Sequence, residues 1–185
     1  MIDARLHLAL DGGGLELPAE GTIAVFQPPR DSDLPGLDKD RVQIIHGFKP
    51  DYDAWAARGY NVVRTIKDRY AACIVCLPRA KAEARAVIAA ACEVCDGIVV
   101  IDGQKTDGAD SVLREMRDRV TVQGPISKAH GKMFWISEPA AEFFTDWRQG
   151  PELTEGGFWT APGVFSADGV DLASALLVDA LPEKL

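Results

Sequence analysis

Residues 96–103, DGIVVIDG, are apolar at consecutive positions rather than alternate ones. Successive side chains of a strand point to opposite faces, so such a run needs cover on both. Just beyond it, TDGADSVLREMRDRV places Val112, Leu113, Met116 and Val120 on one side of a helix. A doubly buried strand followed by an amphipathic helix is a unit of an α/β protein, in which helices supply the cover that the sheet requires.

The same alternation runs along the chain. ARLHLAL reads as a helix that DGGG, residues 11–14, breaks. GTIAVFQPP and DRVQIIHG read as strands. PDYDAWAARG is a short helix with Pro50 near its start and Gly59 as its stop. YNVVRTI and AACIVCLP are strands, and a helix is expected over residues 81–94. VTVQGPISKAHGKMFWIS reads as two strands around a turn, and AAEFFTDW as a short helix. The expectation is an α/β fold with a largely parallel sheet and flanking helices. Composition shifts at RQGPELTEGGFWTAPG, which divides a body, 1–150, from a linker and terminal helix, 151–185.

With 28 acids against 20 Lys plus Arg, the net charge is −8. That disfavours a nucleic-acid binder that uses its whole surface but permits a local basic patch. Arg79, Lys81, Arg85, Lys105, Lys128 and Lys132 are the candidates for an RNA-facing patch, against the blander reading of a solvated face. No basic stretch followed by an apolar one opens the chain, and the apolar run 86–92 is far short of the ~20 residues of a membrane span. A soluble, cytoplasmic protein without membrane contact is expected.

Two C-x-x-C pairs, Cys73 with Cys76 and Cys92 with Cys95, sit at the short edge of a four-cysteine zinc pattern. Their context argues against metal. YAACIVCLP is a strand-type run, and residues three apart in a strand diverge. Cys92 and Cys95 close an Ala-rich helix and share a face of it. Reduced, buried thiols are expected.

GQKTDGAD, residues 103–110, lies between strand and helix, where a phosphate loop belongs. Ala109 and Asp110 stand where a P-loop needs Lys and Ser or Thr, and the dinucleotide glycine spacing also fails. An ordinary turn with Thr106 or Asp107 capping the helix is the simpler reading. VFQPPR resembles the Asn-Pro-Pro-aromatic motif of amino-group methyltransferases, but Gln27 replaces Asn, Arg30 replaces the aromatic, and the motif precedes any cofactor loop. His7, His46 and His130 lie far apart and suggest no triad or metal site. Asp51 with Asp53, and Asp168 with Asp171, read as caps and solvated positions.

The terminal segment, APGVFSADGVDLASALLVDALPEKL, is the most informative. Ser166 or Asp168 is expected to cap a helix over about 168–180 that is apolar around most of its circumference. Such a helix is normally buried. Here Pro162, Gly163, Val164, Phe165, Ser166, Asp168, Asp171 and Ser174 resemble a motif of the ribosomal RNA small-subunit methyltransferase C family. LPRAKAEARAVI and IVVIDGQKTDGADSVLREM are similar to the N-terminal domain of the same family, so the resemblance runs from about Leu77 to the end. Residues 1–70 match loosely.

The resemblance implies a degenerate class I methyltransferase-like, Rossmann-like domain without cofactor, placed ahead of a catalytic domain. In that family the catalytic domain holds S-adenosylmethionine on a Gly-rich loop and methylates a guanine amine of rRNA. The chain is expected to end just before that domain, to bind no S-adenosylmethionine itself, and to be inactive alone. Phe165, Ser166, Asp171 and Ser174 would supply only a rim to the cofactor site. The expected partners are its own catalytic domain and rRNA, with self-association through the terminal helix as a further outcome. Two other readings stay open: a non-catalytic α/β adaptor, and a small nucleotide-binding enzyme using residues 103–108.

Overall fold

The computed structural model describes residues 2–139 and 141–182. The body contains α1 (Ile2–Leu10), β1 (Ile23–Phe26), β2 (Val42–Ile45), α2 (Lys49–Ala57), β3 (Asn61–Val63), β4 (Tyr70–Cys76), α3 (Lys81–Val94), β5 (Cys95–Gln104), α4 (Ala109–Arg117), β6 (Gln123–Lys128) and β7 (Gly131–Ile136). Its seven strands form one sheet in the order β3-β2-β1-β4-β5-β7-β6. The first five are parallel, and β7 runs antiparallel to both β5 and β6. This is the α/β architecture with a mostly parallel sheet that the alternating pattern predicts.

The central strands are covered on both sides, as their composition demands. Along β5, Val99 and Ile101 face one core and Ile98 and Val100 the other. The first core is closed by α3, α4 and a 3-10 segment, Ala141–Trp147, which brings in Phe144 and Trp147. The second is closed by α1 and by Trp55 of α2. The crossover from β1 to β2 uses a long loop with one short 3-10 turn, Lys39–Arg41, instead of a helix. Leu34 and Leu37 of that connection still pack on the second core, so its cover is kept.

Cys73 and Cys76 diverge to opposite cores, as a strand requires. The helix before β5 ends at Val94, so Cys95 opens the strand instead of closing the helix. Cys92 and Cys95 nevertheless join Cys73 in one core. Asp107 turns back onto the Gln104 N–H and closes the 3-10 turn Lys105–Asp107. α4 starts from Gly108, which is left-handed (φ 81°) and has no side chain to cap with, so neither Thr106 nor Asp107 caps that helix.

A C-terminal arm follows the body. It holds a small hairpin, β8 (Glu152–Leu153) with β9 (Trp159–Thr160), and α5 (Leu172–Ala180). The cap of α5 is Asp171, whose carboxylate accepts from the Ser174 N–H at 2.9 Å, not Ser166 or Asp168. None of the residues of α5 is buried, and Leu172 is 74% exposed. Among the described residues, no helix is long and apolar enough to cross a membrane.

Candidate functional site

The strand order reverses between β1 and β4, and open α/β sheets bind ligands in the crevice outside the carboxyl ends of such strands. In this chain the place is taken up by the protein's own side chains. Arg5, at 1% exposure, reaches across from α1 to Asp102 near the end of β5. Its Nε donates to Oδ1 at 2.5 Å and its Nη2 to Oδ2 at 2.8 Å. Its Nη1 donates to the Lys128 carbonyl at 2.9 Å. Gly131 makes this approach possible, because a Cβ there would stand 2.4 Å from Nη1 of Arg5. Burial pushes the Asp102 carboxyl above its ordinary range, and Arg5 opposes it.

On the β1 side, Trp55 donates its indole N–H to the Pro28 carbonyl at 2.9 Å. Gln27, with φ 52°, donates from Nε2 to Glu83 at 2.9 Å. Buried His46 accepts from the Phe48 N–H at Nδ1 and sets Nε2 3.4 Å from Asp51. What remains between Pro29, Ser32, Leu77 and Asp102 is a cavity of about 130 Å³. Ligand pockets measure about 300–1,000 Å³. The residues of this crevice therefore do not fit S-adenosylmethionine, and two prolines stand where a Gly-rich loop would approach a cofactor.

A roomier cavity, of about 400 Å³, lies at the outer end of β5. The sheet register builds it. Lys132 pairs with Ser127 on one side and Gly103 on the other, while Gly131 pairs with Lys128 and Gln104. The turn between β6 and β7 puts Ala129 (φ 49°) and His130 (φ 56°) in the left-handed region, as a two-residue hairpin turn does. The Lys105 N–H donates to the His130 carbonyl at 2.9 Å. Lys105, Lys128 and Lys132 thus line one cavity together with Asp110 and the start of α4. Lys132 pairs with Asp110 at 2.5 Å and holds that carboxyl below its usual range.

The other sequence candidates lie elsewhere. Lys81 and Arg85 converge on Glu115, at 2.5 and 2.8 Å, across α3 and α4. Arg79 is exposed in the β4–α3 loop. Phe165 is 83% exposed, and the Ser166 hydroxyl donates to the Gly169 carbonyl within its own turn. Asp171 and Ser174 serve the α5 cap, so the four rim residues do not enclose a pocket. The phosphate-loop reading of 103–108 meets a turn closed by its own side chains, with Gly103 packed on Leu77. Among the described residues, no group of three or more His, Cys, Asp or Glu is placed to hold a metal.

Sequence reasoning missed Arg5–Asp102, His46–Asp51 and the contact of Glu83 with the arm. A Cβ at Gly163 (φ 88°) would fall 2.2 Å from Oε2 of Glu83, so the arm crosses this carboxylate closely. The Pro-Gly step was the only available signal of that contact.

No family model matches the chain. No curated protein matches it either. Solved structures do. The T. thermophilus 16S rRNA N2-guanine methyltransferase RsmC, in complex with AdoMet and guanosine, superimposes with a TM-score of 0.68 at 20% identity. The match covers 96% of this chain and 51% of that one, so the chain spans about half the length of that enzyme. A Thermoplasma acidophilum structure gives 0.51 at 14% identity, over 73% of this chain and 86% of that one. A ribosomal protein methylase from Lactobacillus delbrueckii subsp. bulgaricus gives 0.50 at 11%, over 74% and 80%. At these identities the likeness establishes the fold: a Rossmann-like, methyltransferase-type sheet.

Proposed function

We propose that this chain is the non-catalytic, methyltransferase-like domain of an S-adenosylmethionine-dependent RNA methyltransferase, with a guanine of small-subunit rRNA as the target. Its role is to position substrate and to stabilise a catalytic domain that holds the cofactor. The observation that carries the reading is the fold likeness along 96% of the chain to an rRNA guanine methyltransferase twice its length.

Two further observations support it. Arg5, Asp102 and Leu77 narrow the crevice of this sheet to about 130 Å³, which favours a cofactor site on another domain. The arm presents Phe165, Leu172, Leu176, Leu177 and Val178 to solvent. Burying one Leu fully is worth about 1.5–3 kcal/mol, and an apolar surface of this extent marks a partner face. The catalytic domain is the proposed partner of α5. Phe165, Ser166, Asp171 and Ser174 would then lie at the rim of its cofactor site.

The test is methyl transfer. The natural gene product, with any residues that flank these 185, is incubated with small-subunit rRNA and tritiated S-adenosylmethionine. Label on a guanine N2 is expected from the natural product and none from the 185-residue chain. No labelled rRNA from the former, or turnover by the latter, contradicts the reading.

A further inference from the structure

We infer that the cavity formed by Lys105, Lys128 and Lys132 takes a phosphate group of the RNA backbone. The inference rests on the RNA reading above and assigns the contact to one place. Three cations, from the 3-10 turn Lys105–Asp107, the end of β6 and the start of β7, meet in a concave site of about 400 Å³ in a chain whose net charge is −8. The acids that neutralise cations elsewhere are sparse here: among the described residues Asp110 is the one carboxylate lining the cavity, and Lys132 holds it. Lys105 and Lys128 form no ion pair among the described residues.

The chemistry suits phosphate. Lysine ammoniums are point charges that bind phosphate oxygens without demanding one geometry. The start of α4, which has no side-chain cap, adds the positive end of its dipole beside them. The site is anchored: the Lys128 carbonyl is held by Arg5 and the Lys105 N–H by the hairpin turn. Arg5 and Asp102 therefore act as positioning residues, because they tie the β6–β7 hairpin to α1 and β5.

The experiment is fluorescence anisotropy with a 20-nucleotide mixed-sequence RNA single strand. It is run across a salt series on the wild-type chain, on Lys105→Ala/Lys128→Ala and on Lys105→Arg/Lys128→Arg. Lys49→Ala, which removes a lysine paired with Asp53, is the control. Each phosphate contact on a single strand contributes about 0.7 to the slope of log K against log salt. Loss of two lysines should therefore lower the slope by about 1.4 and weaken binding roughly 25-fold at 0.1 M salt. The arginine pair should retain binding, and Lys49→Ala should match wild type.

RNA binding that ignores the two lysines overturns the site and leaves the RNA reading standing. Absence of RNA binding at 50 mM salt overturns the inference. ADP or inorganic phosphate bound through the same lysines, with RNA not bound, overturns it in favour of a free phosphate ligand. Lysine-dependent RNA binding without methyl transfer by the natural gene product supports the site and sinks the methyltransferase reading alone.

Discussion

Arg5 and Asp102, 97 residues apart, form a two-point ion pair inside the crevice where a sheet of this order would take a ligand. The pair occupies part of that crevice with protein side chains. It also joins α1 to β5 and, through the Lys128 carbonyl, to the β6–β7 hairpin. One side chain thus closes the crevice and fixes one wall of the lysine cavity.

Removing one partner leaves the other charge buried and uncompensated. Arg5→Ala or Asp102→Ala should each cost about 3–5 kcal/mol. The apolar double variant Arg5→Met/Asp102→Leu should cost less than either single change, because no charge is then stranded. Urea denaturation checks this, and single variants within about 1 kcal/mol of wild type contradict the buried-pair account.

His46 should make the fold sensitive to mild acid. Burial lowers its pKa, and Asp51 and Glu83 pull the other way without prevailing. Its Nδ1 accepts the Phe48 N–H, a bond that the doubly protonated ring cannot accept. A lowered folded pKa means that stability is present above the unfolded value, about 6.5, and is lost as pH falls through the folded one. Thermal melts from pH 7.5 to 5 should show a steeper loss in wild type than in His46→Gln. Parallel curves would contradict it.

Glu115 should work at lower pH. Burial alone would raise its pKa, but Lys81, Arg85 and Ser111 hold it below the usual range. Its contribution is present above the unfolded value, about 4.3, and is lost as pH falls through the lowered folded one. Half-exposed cations make this a small term, of about 1 kcal/mol or less. Glu115→Gln should flatten the melting curve between pH 5 and 3, and an unchanged curve there would contradict the assignment.

The four thiols should be inert in the native state. Cys73 is raised by its hydrogen bond with Cys95 and by burial, Cys76 by burial, and Cys92 to about 12 by burial, whereas Cys95 is lowered by its hydrogen bond with Cys73 and is protected by being 4% exposed. Thiolate is the reactive form, so Ellman's reagent should label them only at the rate of unfolding. Rapid labelling of any one at pH 7.5 would show that a cysteine is open to solvent.

Much of this fold is legible in the sequence because its central elements obey local rules. The doubly buried run of β5 and the helical spacing of Val112, Leu113 and Met116 each name their own element. Helix α3 begins and ends where its Ala-rich stretch does. Pairings across the fold carry no local signal, and Arg5–Asp102 and His46–Asp51 are of that kind. Strands of two residues, such as β8 and β9, are too short for a period to show. The three lysines were visible as residues, but only the β5–β7–β6 register brings them to one cavity.

Helix α5 should exchange its amide hydrogens quickly in dilute solution. It has no buried residue, and Asp171 provides its only side-chain cap. Residues 172–180 should be labelled within seconds in the monomeric chain and become protected when the proposed catalytic partner is supplied, or at concentrations where α5 pairs with a second copy. Strong protection in a dilute monomer would mean that α5 itself packs on the body.

On the proposed reading, this methyltransferase-type sheet holds no S-adenosylmethionine site of its own. Isothermal titration of S-adenosylmethionine into the 185-residue chain tests it most directly. A flat titration at 50 μM protein is the predicted result. Saturable one-to-one binding with a micromolar Kd would contradict this reading, since only about 130 Å³ remains between Arg5, Asp102 and Leu77.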